Sequence, residues 1–206
     1  MYNVTSTPGH TMNHLAHLFL APANAEIRVG ALLGDFSHGL ESQKLPERVR
    51  AGLQHHRAVD AFTDSHPQVL AAKTLFSPQR RRFAGIALDV LFDHYLIRHW
   101  QQFSEVTLES FIGEVYQDLA RNRHLMPERM AAVTSRMILD DWFSAYQDLD
   151  TVGFVLDRLA GRIRFSNEFS GALEEIIPND TQLEEHFLAF FPDLITAAQA
   201  ESGRER

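Results

Sequence analysis

The chain has 206 residues, with 27 acidic side chains against 19 Lys and Arg, a formal charge of -8, eleven His, no Cys and 45% hydrophobic content. That length can bury enough surface to fold as one domain, or two small ones, without a covalent or metal staple. The lack of Cys excludes thiol catalysis, disulfides and cysteine-ligated zinc or iron-sulfur sites, net acidity argues against nucleic acid as partner, and no apolar run approaches the eighteen or so residues that span a bilayer.

Residues 1–11 are polar and aperiodic and lack the basic and apolar regions of a signal peptide. They read as a disordered extension, an upstream start or a tag remnant, ahead of a soluble, cytoplasmic domain that starts at Met12. From there the apolar pattern is helical, with Pro and Gly at helix-length intervals and little alternation of strand type. Helices are predicted over 13–20, 26–33, 46–63, 67–73, 78–102, 107–121, 127–146, 150–163 and 180–200, and residues 201–206 as a frayed tail. Pro46, Pro67, Pro78 and Pro127 stand at first-turn positions, and Ser77, Thr107 and Asn179 are cap candidates. The sum is an all-α single domain over 12–200.

Charge is unevenly distributed along the chain. Residues 1–100 hold ten bases and eight acids, residues 101–206 nine bases and nineteen acids, and nine of the eleven His lie in the first stretch. Histidine is the commonest metal ligand and titrates near neutrality, so the chemistry is expected there. His56, Asp60 and Asp64 recur at four-residue spacing and share a helical face, as do Asp89 and Asp93 between apolar neighbours. Two facing helices would then pool an imidazole with several carboxylates. Such carboxylates repel one another when buried, and a divalent cation compensates. A set of imidazoles and carboxylates without sulfur suits Mn, Fe, Zn or Mg, and a carboxylate majority favours Mn or Mg.

Asp35, after Gly34 at a predicted helix end, and His17, inside an apolar run, complete the candidates. Each has a plainer reading: His17 as a hydrogen-bonded core residue, Asp35 as a turn cap, the spaced pairs as solvated surface. Asp89 and Asp93 are harder to explain that way, because like charges one turn apart disfavour a helix unless something positive intervenes.

The blocks MNHLAHLFLA (12–21), GALLGDF (30–36), GLQHHRAVDAFTDSHP (52–67), LDVLFDHYL (88–96) and HW (99–100) resemble, in order and spacing, the acyl carrier protein phosphodiesterase family, also called ACP hydrolases. The resemblance implies a helical fold distantly akin to the HD phosphohydrolases. It further implies Mn-dependent hydrolysis of holo acyl carrier protein to the apo form and 4'-phosphopantetheine. It points to His17, Asp35, His56, Asp60, Asp89, Asp93 and His94. The chain has no adjacent His-Asp doublet, so the ligands of ordinary HD enzymes do not carry over, and Gln54 stands where some members carry a further His.

On this reading Asp35, His56, Asp60 and Asp89 hold the metal or position its water, with Asp93 and His94 beside them. His17 or His94 protonates the leaving serine oxygen, and Arg57 contacts phosphate. Carrier proteins are acidic, so docking needs a basic patch; Arg81 and Arg82, in the run 80–82 near Lys73 and Arg98, are the candidates. Two alternatives remain: an HD-type hydrolase of a nucleotide or other small phosphodiester, and a helical binding module without catalysis. Phe187, Phe190 and Phe191 are expected in the core.

Overall fold

The computed structural model describes residues 14–163 and 165–204, with side chains as far as Glu201. The expectations for residues 1–11, for Asn13 and for residues 205–206 lie outside that range. Among the described residues all regular structure is helical: α1 (His14–Leu20), α2 (Ala25–Leu33), α3 (Glu47–Ser65), α4 (Pro67–Lys73), α5 (Ala84–Arg98), α6 (Trp100–Phe103), α7 (Leu108–Arg121), α8 (Glu128–Leu139), α9 (Trp142–Ala145), α10 (Leu149–Ala160) and α11 (Leu173–Arg204). None of these helices is long and apolar enough to cross a membrane.

Side chains close the helix starts where the sequence supplies them, satisfying backbone donors that have no partner in the first turn. Asn24 accepts from the N–H groups of Glu26 and Ile27 at 3.1 and 3.2 Å, Thr107 from Ser110 at 3.3 Å, and Asp148 from Asp150 at 3.0 Å. α5 is buried along most of its length, from Ala87 to Ile97 with Asp89 only partly covered, and α1, α4, α10 and α11 pack against it.

α2 and α3 cross with backbone against backbone. A β-carbon on Gly30 would sit 2.8 Å from the Gly52 Cα and collide with the Val49 carbonyl; one on Gly52 would collide with the carbonyl of Ile27. Only glycine permits this approach. Arg28 ties α2 to α7, its Nη1 donating to Glu114 and Asp118 at 2.6 Å each. α11 lays Phe187, Phe190 and Phe191 into the core as expected, with Phe187 and Phe191 stacked at 4.9 Å between centroids.

Three predicted boundaries differ. The helix over 78–102 starts at Ala84, after a 3₁₀ turn at Arg81–Phe83, and is interrupted at His99 before α6. The helix over 127–146 breaks after Leu139, where Asp141 takes a left-handed conformation (φ 45°). α11 starts at Leu173, not at 180, and runs through Pro178 and Pro192 to Arg204. Asn179 is therefore inside a helix, and its Nδ2 donates to the Glu175 carbonyl at 2.8 Å.

Candidate active site

α1 and α3 bring His17, His56 and Asp60 together, each offering one ligand atom within 4.8 Å of the others. His56 and Asp60 are one turn apart on α3. The carboxylate of Asp60 lies between the two imidazoles, with Oδ1 3.1 Å from His17 Nε2 and Oδ2 3.1 Å from His56 Nε2. The rings stack at 3.9 Å between centroids, 20° from parallel.

His56 is fixed from behind. Its Nδ1 lies 2.7 Å from the Ala31 carbonyl, which can only accept, so Nδ1 carries the hydrogen; Nε2 faces Asp60, donating to it when the ring is protonated and free to give its lone pair to a cation that displaces that proton. Gly34 makes room for it: a β-carbon there would overlap the His56 ring. α1 is held by Asp93 of α5, whose two carboxylate oxygens accept from the N–H groups of Leu15 and Ala16 at 3.0 and 2.9 Å. That contact sets the position of His17.

The electrostatics is strained in the sense of wanting positive charge. Burial, reinforced by His56, pulls His17 down to about 4 against the attraction of Asp60, so its imidazole is neutral at neutral pH. Neither of its ring nitrogens makes an aligned hydrogen bond, an unusual state for buried polar atoms. Burial also works to lower His56, but Asp60, Asp35 and the Ala31 carbonyl outweigh it and raise it. Burial works to raise Asp60, and the two imidazoles overcome it and hold that carboxyl well below the usual range.

Asp89 shows the opposite balance. Burial pushes it well above the ordinary value, and Asp60, Asp35 and Asp64 add to the shift while Lys73 opposes it. It shares with Asp60 a cavity of about 70 Å³ that Thr63 also lines. Asp35, whose side chain is 3% exposed, lies 2.9 Å through Oδ2 from His14 Nε2. Imidazole lone pairs and carboxylates without sulfur, converging on buried nitrogens that lack hydrogen bonds, fit a hard or borderline divalent cation.

Comparison with known proteins decides the family. A family model described as acyl carrier protein phosphodiesterase matches residues 12–194. The chain belongs to this family. A protein named acyl carrier protein phosphodiesterase from Serratia proteamaculans is 35% identical over 189 residues, covering 91% of this chain and 98% of the relative. One of the same name from Pectobacterium atrosepticum is 34% identical, covering 92% and 99%, and one from Yersinia pestis is 34% identical, covering 91% and 98%. No solved structure matches the chain.

The remaining residues named from the sequence are placed elsewhere. His94 sits in a separate network: its Nδ1 donates to the Tyr146 carbonyl at 2.7 Å and its Nε2 accepts from Arg98 at 2.9 Å. Asp93 meets backbone, as above. Asp64 is 78% exposed and pairs with Lys73 at 3.1 Å, and Arg57 and Gln54 are exposed on α3. His14, in the first resemblance block, was not singled out, yet it is buried beside Asp35. Its three-residue spacing from His17, one helical turn, was the available signal.

Proposed function

We propose that the chain is a phosphodiesterase that hydrolyses holo acyl carrier protein to apo carrier protein and 4'-phosphopantetheine, with a divalent metal, Mn2+ by the family resemblance. Family membership and the names of the relatives support the substrate. The convergence of His17, His56 and Asp60 supports the chemistry and is the observation that carries it.

The overall step adds water oxygen to phosphorus, breaks the bond between phosphorus and the serine oxygen of the carrier, and delivers a proton to that oxygen. A divalent cation would lower the pKa of a bound water and offset phosphoryl charge. The neutral His17 and the Nε2 of His56 offer lone pairs, and Asp60 a carboxylate, so these three would hold it, with Asp35 and Asp89 the nearest further carboxylates. His17, drawn down to about 4, is suited to ligation and not to donating a proton. His94 has both nitrogens engaged. The proton for the departing serine is therefore assigned to His14, held by Asp35 where both line a large cavity.

The test is incubation with holo acyl carrier protein and Mn2+, read by intact-protein mass spectrometry. The expected result is metal-dependent loss of the phosphopantetheine group. A carrier protein of unchanged mass in Mn2+ and in Mg2+ would refute the assignment.

A further inference from the structure

The docking patch expected at 80–82 is occupied with holding the fold together. Arg80 donates to Glu175 at 2.9 Å and to the carbonyls of Glu168 and Ser170, and Arg81 donates to the carbonyls of Thr74 and Phe76. The Arg82 guanidinium lies over the Phe83 and Phe165 rings, 4.5 and 5.2 Å from their centroids. Arg80 and Arg81 are thus engaged by acceptors of the chain itself, and only Arg82 of the three keeps its guanidinium without a hydrogen-bond acceptor among the described residues.

A second set of cations surrounds a cavity of about 480 Å³, within the size range that takes a small organic ligand. Arg129 and Arg136 are two turns apart on α8; Arg158 is in the last turn of α10, and Arg162 stands in the turn that follows its end. Arg129 and Arg136 share a face of α8, and both pairs line the cavity. All four side chains are exposed. Among the described residues no carboxylate pairs with Arg136, Arg158 or Arg162, and the Arg158 guanidinium rests 5.7 Å from the Phe154 ring centroid.

Three acids in and beside these helices are directed elsewhere: Asp141 accepts from the Tyr116 hydroxyl, Asp148 caps α10, and Asp157 accepts from Ser170 and Gly171. Asp140 and Asp35 are the carboxylates on the cavity wall. The remaining wall is largely apolar, and its rim carries Phe154, 62% exposed. His14 and Asp35 are part of its wall, and His14 stands one turn before His17 on α1, so the cavity borders the candidate active site.

We propose that this cavity receives the phosphopantetheine arm of an acidic carrier protein whose surface docks on Arg129, Arg136, Arg158 and Arg162. The inference rests on the reading above, which it extends from chemistry to recognition. The phosphodiester joins the carrier to its arm. With the arm in the cavity and the carrier over the arginine rim, that joint lies beside His14 and Asp35. Apolar walls suit the aliphatic and amide stretches of the arm, and the guanidinium rim complements the carrier's carboxylates and steers encounter.

The experiment measures binding of fluorescently labelled holo and apo carrier protein by anisotropy across ionic strength, beside turnover. Arg136→Glu/Arg158→Glu should weaken holo binding by about tenfold or more and flatten its salt dependence. KM should rise more than kcat falls, with circular dichroism unchanged. Arg158→Gln/Arg162→Gln should shift both in the same direction by less, and Arg48→Glu/Arg121→Glu, exposed sites on α3 and α7 away from the cavity, controls for total charge. Wild-type binding by the double reversal, an equal loss with Arg48→Glu/Arg121→Glu, or equal affinity for apo and holo carrier would overturn the proposal. Carrier that binds at the rim but is not cleaved would remove the phosphodiesterase reading and leave the docking site standing; carrier that does not bind would remove the docking site.

Discussion

Asp60 illustrates how a single side chain can have a role in the site and little in the fold. Its carboxylate is 35% exposed and lies between two imidazoles, with no backbone hydrogen bond. Asp60→Ala should therefore keep its far-ultraviolet circular dichroism while losing bound metal, read by plasma mass spectrometry, and at least about a hundredfold in turnover, since lost outer-shell partners alone cost up to that much. Gly34 is the reverse case, a residue with no side chain whose role is to leave space. In Gly34→Ala the new methyl displaces the His56 ring and pulls Nδ1 from the Ala31 carbonyl. Turnover should fall by roughly ten- to a hundredfold with a shift of only a few degrees in melting temperature. Wild-type turnover in Gly34→Ala would show that His56 has another place to go.

Among the elements, α1 depends most on a neighbour. A seven-residue helix has too few internal hydrogen bonds to persist alone in water. Its first N–H groups are received by Asp93, a carboxyl that burial pushes up to about 7 even though those two backbone bonds favour its charged form. Asp93→Ala would leave two buried donors without partners and should cost about 3 kcal/mol. In urea the variant should lose activity well before it loses ellipticity, because undocking α1 removes His14 and His17 while the rest of the bundle stays folded. Coincident activity and ellipticity curves would contradict that role.

The same scale shows what the sequence could and could not reveal about helices. α3 and α4 were legible from Pro46, Pro67 and the apolar spacing between them. The breaks before α5 and after α8 were not, because apolar periodicity continues across both. One is set by Arg81 reaching back to carbonyls of an earlier turn, the other by the left-handed backbone of Asp141. Asn179 was read as a cap, but α11 already includes it and runs through Pro178 between buried Ile176 and Leu183.

Across the whole molecule, α5 and α11 are joined by a polar network. Arg98 donates to Asp180 at 3.1 Å and to Glu184 at 2.8 Å, and His99 Nε2 lies 2.8 Å from Glu184. Burial works to raise Glu184, but Arg98 and His99 outweigh it and hold it below the usual value. A carboxyl depressed in the folded state contributes stability that is complete above its unfolded pKa, about 4.3, and is lost as pH falls through the lower folded value. The stability difference between wild type and Glu184→Gln should stay constant from neutrality to about pH 5 and shrink below pH 4, as read from urea midpoints. A difference that grows on acidification would reverse the sign.

Charge at this scale also explains why recognition was harder to read than chemistry. His56 and Asp60 share a face through four-residue spacing alone. Arg129, Arg136, Arg158 and Arg162 lie in the half whose bases number nine against nineteen acids, and each pair, taken alone, looks like a solvated face. Their meeting over one cavity is a property of where the fold sets α8 and α10 around it.

The crossing at Gly30 and Gly52 has a bearing on binding. Where two backbones touch, no rotamer lies between them to adjust. The Ala31 carbonyl, one residue from that contact, is therefore fixed relative to α3, and the His56 imidazole is fixed with it. A ligand that engages His56 meets a ring whose conformational freedom was already given up on folding, so its affinity is set by stripping water from the ligand and not by ordering the protein.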